Sequence, residues 1–225
     1  MKLSSRTKSI LKSFSGINQS IVIMPGNTIT TQDEAGILYG MAQVEESFEH
    51  EMRIYQLPTL LNMMDSLEDV DLDIGDMDVT VHGSRGKYRY QYCAPNILKY
   101  RSPWNKEDIV EEQIFTCDFL SEDFRALTKA SSITGINQIC IYTKDGDVLL
   151  SLHDKKAEGN SFKTVLGKSD DEFCVWAKTD NLKLLPDDYK MSVNRREGKT
   201  RIVSFLSFSG DNLDYLLSCD PSSKV

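Results

Sequence analysis

Gly16-Ile17-Asn18-Gln19 recurs as Gly135-Ile136-Asn137-Gln138, and the reading of this pair decides the fold. In both places an amphipathic stretch with basic residues comes before the tetrapeptide and a short apolar run comes after it. Ile21-Val22-Ile23 leads to a turn at Pro25-Gly26-Asn27 and then to Thr28-Ile29-Thr30. Ile139-Cys140-Ile141-Tyr142 leads to Lys144-Asp145-Gly146-Asp147 and then to Val148-Leu149-Leu150. Each copy predicts helix, strand, tight turn, strand. Four identical residues recur by chance, but the shared order of elements argues for an internal duplication of the 225-residue chain.

That length suffices for one large domain or two smaller ones, each able to bury a core. The hydrophobic fraction of 40% fits a globular protein. No apolar run approaches the roughly 20 residues of a membrane span, and the N-terminus carries lysines without the apolar segment of a signal peptide. A cytoplasmic protein is expected. The five cysteines, at 93, 117, 140, 174 and 219, are scattered and form no C-x-x-C pair, so no zinc site is indicated. Cys140 and Cys174 sit in apolar runs, where a reduced thiol behaves as a small hydrophobe.

The net charge of −8 argues against a conventional nucleic-acid binder, which needs a basic footprint. The charge is segregated, however. Lys2, Arg6, Lys8 and Lys12 precede the first acid, Asp33. After Arg53 come Asp65, Glu68, Asp69, Asp71, Asp73, Asp76 and Asp78 without an intervening base. Arg85, Lys87, Arg89, Lys99, Arg101 and Lys106 then follow without an acid.

A first helix is expected from Ser4 as N-cap to a stop at Gly16. Leu3, Thr7, Ile10, Leu11 and Phe14 gather on one side, with Lys8 and Lys12 opposite and Arg6 at the margin. Its counterpart starts at Ser121, with Glu122 and Asp123 in the first turn, where acids suit the macrodipole. Leu120, Phe124 and Leu127 form its apolar side, and Arg125 and Lys129 lie on the far side. Either pair alone reads as a solvated charged face; the repetition makes a phosphate-facing surface an equal reading. Each half also offers a shorter helix. Leu57 to Met64 has Pro58 in its first turn and Met63 and Met64 as core residues. Asp180 to Leu185, ahead of Pro186, places Lys183 away from Leu182 and Leu185.

The remainder reads as strands. Asp69 to Ile74 and Met77, Val79 and Val81 alternate polar and apolar residues. Tyr88 to Tyr92, Val203 to Phe208 after a Glu197-Gly198-Lys199 turn, and Asn212 to Cys219 are further candidates. Ala94 to Gln113, with Pro95, Pro103 and Trp104, reads as a connector with an extended portion. The expected division is residues 1–103, a connector over 104–113, and 114–225.

No catalytic constellation emerges. An EF-hand loop started at Asp69 would need glycine at its sixth place and glutamate at its twelfth; Ile74 and Thr80 stand there. His50, His82 and His153 are isolated, and Gly83-Ser84-Arg85-Gly86-Lys87 lacks phosphate-loop spacing. No catalytic residue, metal or cofactor is therefore assigned. The one enzymatic alternative is a metal-dependent nucleic-acid-modifying enzyme that draws on Asp65 to Asp78.

Met1-Lys2-Leu3-Ser4, Leu11-Lys12-x-Phe14-x-x-Ile17-Asn18, Ile54-Tyr55-x-Leu57, Asn181-Leu182-Lys183-x-x-Pro186 and Tyr189-Lys190 occur in that order. In these segments the chain resembles the DNA polymerase sliding clamps of T-even-type bacteriophages, with the likeness thinnest from Asn62 to Gln113. The resemblance implies an α+β DNA clamp fold: two topologically similar domains per subunit, helices lining a pore and antiparallel sheets outside. It also implies a homotrimeric ring that encircles duplex DNA without sequence specificity and tethers the replicative polymerase, within the host cytoplasm. An ATP-driven clamp loader and late-transcription factors are the further partners implied. On this reading Arg6, Lys8, Lys12, Arg125, Lys129 and Lys183 face DNA. Pro95, Pro103 and Trp104 mark a partner-binding region, although Trp104 equally reads as packing the connector down. Topological retention resolves the charge paradox, because a closed ring needs only weak phosphate contacts.

Overall fold

The computed structural model describes residues 1–155, 159–198 and 202–225, and the side chains of all of these except Lys106 and Glu107. The chain divides into two compact units, Met1–Pro103 and Trp104–Val225. Residues 104–113, expected as a separate connector, fall within the second unit.

The first unit opens with α1 (Ser5–Ile17), β1 (Ile21–Ile23), β2 (Gly26–Gln32), β3 (Leu38–Phe48) and β4 (Met52–Ile54). It continues with α2 (Leu57–Asp65), β5 (Asp71–Ile74), β6 (Asp78–Gly83) and β7 (Gly86–Gln91). β1 pairs with β4, β2 with β3, and β5, β6 and β7 form an antiparallel meander. The second unit contains α3 (Lys106–Ile109), β8 (Glu112–Phe119), α4 (Ser121–Thr134), β9 (Gln138–Lys144), β10 (Asp147–Leu152), β11 (Phe162–Lys168) and β12 (Cys174–Lys178). A 3-10 turn at Thr179–Asn181 precedes β13 (Tyr189–Glu197), β14 (Ile202–Ser209) and β15 (Leu213–Ser218). One sheet runs β11-β10-β9-β12, and β8, β13, β14 and β15 pair in that order.

The repeat is now explicit. α4 corresponds to α1, β9 to β12 correspond to β1 to β4, the 3-10 turn corresponds to α2, and β13 to β15 correspond to β5 to β7. The pairing β9–β12 repeats β1–β4, and β10–β11 repeats β2–β3. Even the first strand has a counterpart: β8 lies along β13, while the Leu72 N–H of β5 donates to the Met1 carbonyl, 2.8 Å.

Each unit has its own apolar centre. Phe14, Ile29, Leu57 and Ile54 are at most 1% exposed in the first, and Val148, Leu152, Val193 and Tyr215 are fully buried in the second. Full burial of such side chains stabilises by about 1.5–3 kcal/mol each, offset by chain entropy. The aspartate run alternates as expected: Leu72, Val79 and Val81 point inward while Asp71 and Asp73 are exposed. Met77 lies outside β6 and is exposed.

Four expectations need correction. The Ser4 cap holds, its side chain accepting from the Thr7 N–H, but α1 passes through Gly16 and ends at Ile17. Ile17 is buried there, and the following Asn18 caps the helix through its N–H to the Phe14 carbonyl, 2.9 Å. The second copy of the tetrapeptide does stop its helix, with Gly135 left-handed at φ 71°. β1 and β2 do not form a hairpin, since β1 bonds to β4; of the two copies it is β9 and β10 that meet through a tight turn, with Asp145 and Gly146 both at positive φ. The helix expected at Asp180 to Leu185 is a single 3-10 turn, because Leu182 and Leu184 are both buried at two-residue spacing and Pro186 disfavours helix at Leu185. Finally, β5 starts at Asp71, after Asp69 has turned the chain at φ 53°. Lys199 of the expected hairpin turn lies outside the described residues.

Candidate nucleic-acid interface

α1 is fixed at its start by three polar groups. The Ser4 hydroxyl accepts from the Thr7 N–H at 3.1 Å, and Glu46 of β3 accepts from the Ser4 N–H and, at 2.6 Å, from the Thr7 hydroxyl. Burial raises the Glu46 pKa, but these hydrogen bonds outweigh it and leave the carboxyl below its ordinary value. With Thr7, Ile10, Leu11, Phe14 and Ile17 buried, the rotation of α1 is set. Lys8 is then half-buried and Lys12 exposed, one turn apart on the side away from the core. Arg6 is half-buried and engaged in interactions of its own.

Lys12 has a partner that the sequence pattern did not reveal: its Nζ lies 2.8 Å from Asp65 Oδ2, both side chains being about half exposed at 53% and 49%. Asp65 is the last residue of α2, where an acid opposes the helix dipole. That unfavourable placement was the available signal that a cation stands nearby.

α4 is held differently. Asp123 accepts from the Leu120 N–H at 2.9 Å, and Asp188 accepts from the Ser121 N–H at 2.8 Å. Arg125 and Lys129 are both exposed and spaced as Lys8 and Lys12 are. Of the expected apolar side only Leu127 is buried; Phe124 is half-buried and Leu120 is 40% exposed. The reason is the missing second helix. α2 packs beside α1, whereas the 3-10 turn leaves a groove of about 220 Å³ lined by Phe124, Leu127, Thr179 and Leu182. Lys183, exposed, directly follows that lining residue Leu182. Lys178, also exposed, lies at the end of β12 just before the turn.

The structure thus brings Lys8 and Lys12 together on α1, and Arg125 and Lys129 on α4. Pro95, Pro103 and Trp104 are not gathered around a cavity. Both prolines are exposed, and Trp104 is half-buried with its indole N–H buried and unpaired among the described residues. A cavity of about 250 Å³ does lie against the neighbouring segment, lined by Val22, Thr31, Ile97, Leu98, Lys99 and Arg101 among others. Arg53 secures that segment by donating to the Pro95 and Leu98 carbonyls, each at 3.0 Å.

The acidic run is dispersed. Asp65 faces Lys12, Asp76 lies 2.8 Å from His50 Nδ1, and Asp78 takes two bonds from Arg89 at 2.5 and 2.9 Å. Among the described residues, no three His, Cys, Asp or Glu side chains gather closely enough to hold a metal. No helix among them is long and apolar enough to cross a membrane.

Comparison with known proteins agrees with this architecture. Residues 116–220 match the family model described as gp45 sliding clamp, C terminal. The sliding clamp of Vibrio phage KVP40 is 30% identical, covering 98% of this chain and 99% of that protein. The sliding clamp of Enterobacteria phage T4 is 24% identical over 99% of this chain and 98% of that one. Among solved structures, the PCNA of A. fulgidus, bound to the C-terminal region of FEN-1, superposes with a TM-score of 0.66 at 12% identity, covering 96% of each chain. Duplicated units, antiparallel sheets and near-full-length likeness to phage relatives converge: the chain belongs to the sliding clamp family of T4-like bacteriophages.

Proposed function

We propose that three copies of this chain close head-to-tail into a ring around duplex DNA and hold the replicative polymerase to its template. The observation that carries this reading is the basic pair at four-residue spacing on each of the two equivalent helices, α1 and α4, of an otherwise acidic protein. Lys8, Lys12, Arg125, Lys129 and Lys183, with Arg6, supply weak phosphate contacts that retain the duplex without reading sequence. Two strands support ring closure. β7 ends the meander of the first unit and β11 ends the four-stranded sheet of the second, and each carries an exposed apolar residue, Tyr88 and Val165. Pairing β7 of one copy with β11 of the next is a heterologous contact, and such contacts close into rings when the rotation permits.

Partners on this reading are the polymerase, an ATP-driven clamp loader and late-transcription factors, acting in the host cytoplasm. The cavity beside Ile97 to Arg101, with Pro95, Pro103 and Trp104 adjoining it in sequence, is the place for their peptides. Native mass across a concentration series tests assembly: three times 25.5 kDa, dissociating on dilution and weakened in Val165→Arg, is expected. A strict monomer at high micromolar concentration overturns the ring. Joint neutralisation of Lys8, Lys12, Arg125 and Lys129 should reduce loading and processivity; unchanged values overturn the DNA-facing assignment.

A further inference from the structure

A cavity of about 570 Å³ in the second unit plays no part in the reading above. It opens beside the β9–β12 pair and is lined by Cys140, Tyr142, Lys155, Lys163, Cys174 and Trp176, among others. Two of its walls are thiols. Cys140 faces Trp176 in register and Cys174 faces Tyr142, so the cysteines are diagonal neighbours on adjacent strands, with sulfurs 3.3 Å apart. Cys174 is held from both sides: by β9, and by the C-terminal segment, where its N–H and carbonyl bond to the carbonyl and N–H of Lys224 at 2.7 and 2.8 Å. Cys140 is 1% exposed, whereas Cys174 is half-buried.

The surroundings carry both signs of charge, Asp154 lining the cavity beside Lys155 and Lys163. Lys155 Nζ stands 4.5 Å from the centre of the Trp176 ring and 3.3 Å from Asp220, and Lys163 is exposed at the cavity wall. His153 packs edge-on against Trp176, its ring centroid 4.8 Å away, and donates to or accepts from Ser151.

We propose that this cavity is a thiol-exchange site for a small carboxylate-bearing disulfide, with Cys174 as the attacking thiol and Cys140 as the resolving one. The Cys174 thiolate attacks one sulfur of the disulfide, forms a mixed disulfide and releases the other half as a thiolate. Cys140 then attacks Cys174 Sγ, the Cys140–Cys174 bond forms, and the second half leaves, taking the Cys140 proton. Both cysteines are oxidised and the small disulfide is reduced to two thiols. Bond formation draws the sulfurs together by about 1.3 Å, to the usual S–S length.

The division of roles follows from the environment. Cys174 is the more exposed thiol and so the one that meets a ligand; with Cys140 as hydrogen-bond donor across the 3.3 Å contact, and with the positive charges of Lys155 and Lys224, the Cys174 pKa falls despite partial burial. The same hydrogen bond and burial push Cys140 up. His153, lowered by burial and by the charge of Lys163, is neutral near pH 7 and adds no charge of its own there. Burial raises Cys117 to about 11 and Cys219 to about 12, which makes them poor competitors.

The test treats the purified full-length chain with glutathione disulfide near pH 7, followed by intact mass and peptide mapping. A Cys140–Cys174 disulfide is expected, with Cys140→Ser stopping at one glutathione on Cys174 and Cys174→Ser leaving Cys140 unmodified. Lys163→Ala should slow the reaction with glutathione disulfide at least twofold while leaving that with uncharged hydroxyethyl disulfide unchanged. Thermal melting of each variant verifies folding. Failure of Cys140→Ser, folded, to accept glutathione at Cys174 overturns the proposal, as does modification of Cys117 or Cys219 ahead of Cys174. An equal Lys163 effect on both disulfides overturns the carboxylate preference.

Discussion

Asp65→Asn should make this clamp bind DNA more tightly and with a steeper salt dependence. In the free protein Lys12 is neutralised by Asp65 at 2.8 Å, so α1 offers DNA less charge than its sequence suggests. Both partners are about half exposed, and an exposed pair is worth about 0–1 kcal/mol, so fold stability should change by no more than about 1 kcal/mol. The electrostatic effect is larger in relative terms. One more neutralised phosphate steepens the dependence of log K on log salt by about 0.9, so raising salt fourfold weakens binding by an additional factor of about 3.5 for each such phosphate. Fluorescence anisotropy with a short labelled duplex, titrated from low to moderate salt, reads that slope directly. Lys12→Ala should flatten the slope, and Asp65→Asn should have a smaller effect in the Lys12→Ala background than in the native one. An unaltered slope in Asp65→Asn, or an equal effect in both backgrounds, would refute the reasoning that Asp65 acts through Lys12.

Two further variants probe how α1 is held. Glu46→Gln should destabilise by about 1 kcal/mol at neutral pH, discounted for its partial exposure, which lowers Tm by about 2–4 °C for a chain of this size. Because the folded Glu46 carboxyl lies below its ordinary value of 4.5, its contribution is complete above that value and fades as pH falls through the lower folded one. The gap between native and variant Tm should therefore persist to about pH 5 and narrow only in more acidic buffer; a constant gap throughout contradicts the assignment. Gly40→Ala places a methyl 2.8 Å from Phe14 Cε1, in a site where Phe14 is fully buried, and should cost about 1–3 kcal/mol in urea unfolding. Phe14→Leu in the Gly40→Ala background should recover part of that loss, and additive costs would show that the ring and the methyl never meet.

Much of the fold was legible where one local rule dominates. Ser4 before an apolar stripe, Pro58 in a first turn, Asp145-Gly146 between apolar runs and alternation through Leu72, Val79 and Val81 each announced an element that is present. What escaped depends on groups distant in sequence. Nothing near Ile21 says that its strand partner is Ile54 rather than the segment just beyond Gly26. Leu182 and Leu184 fit a helix or an extended stretch equally until the core claims both. The basic pairs were readable from spacing alone, yet the ion pair that mutes Lys12 joins the middle of one helix to the end of another. Cys140 and Cys174 looked like isolated small hydrophobes because 34 positions of sequence hide their contact across β9 and β12.

The exchange of a nine-residue helix for a single 3-10 turn distributes rigidity unevenly between the two copies of the repeat. α1 buries five side chains and leans on α2; α4 buries one, stands over a groove and leaves Ile133 75% exposed. Local opening of α4 therefore uncovers little apolar surface and lies at a lower free energy than opening of α1. Amide protons along α4 should exchange with solvent well before those of α1, at identical intrinsic chemistry. Of the two equivalent helices α1 is thus the stiffer and α4 the more compliant, and opening at α4 should come first.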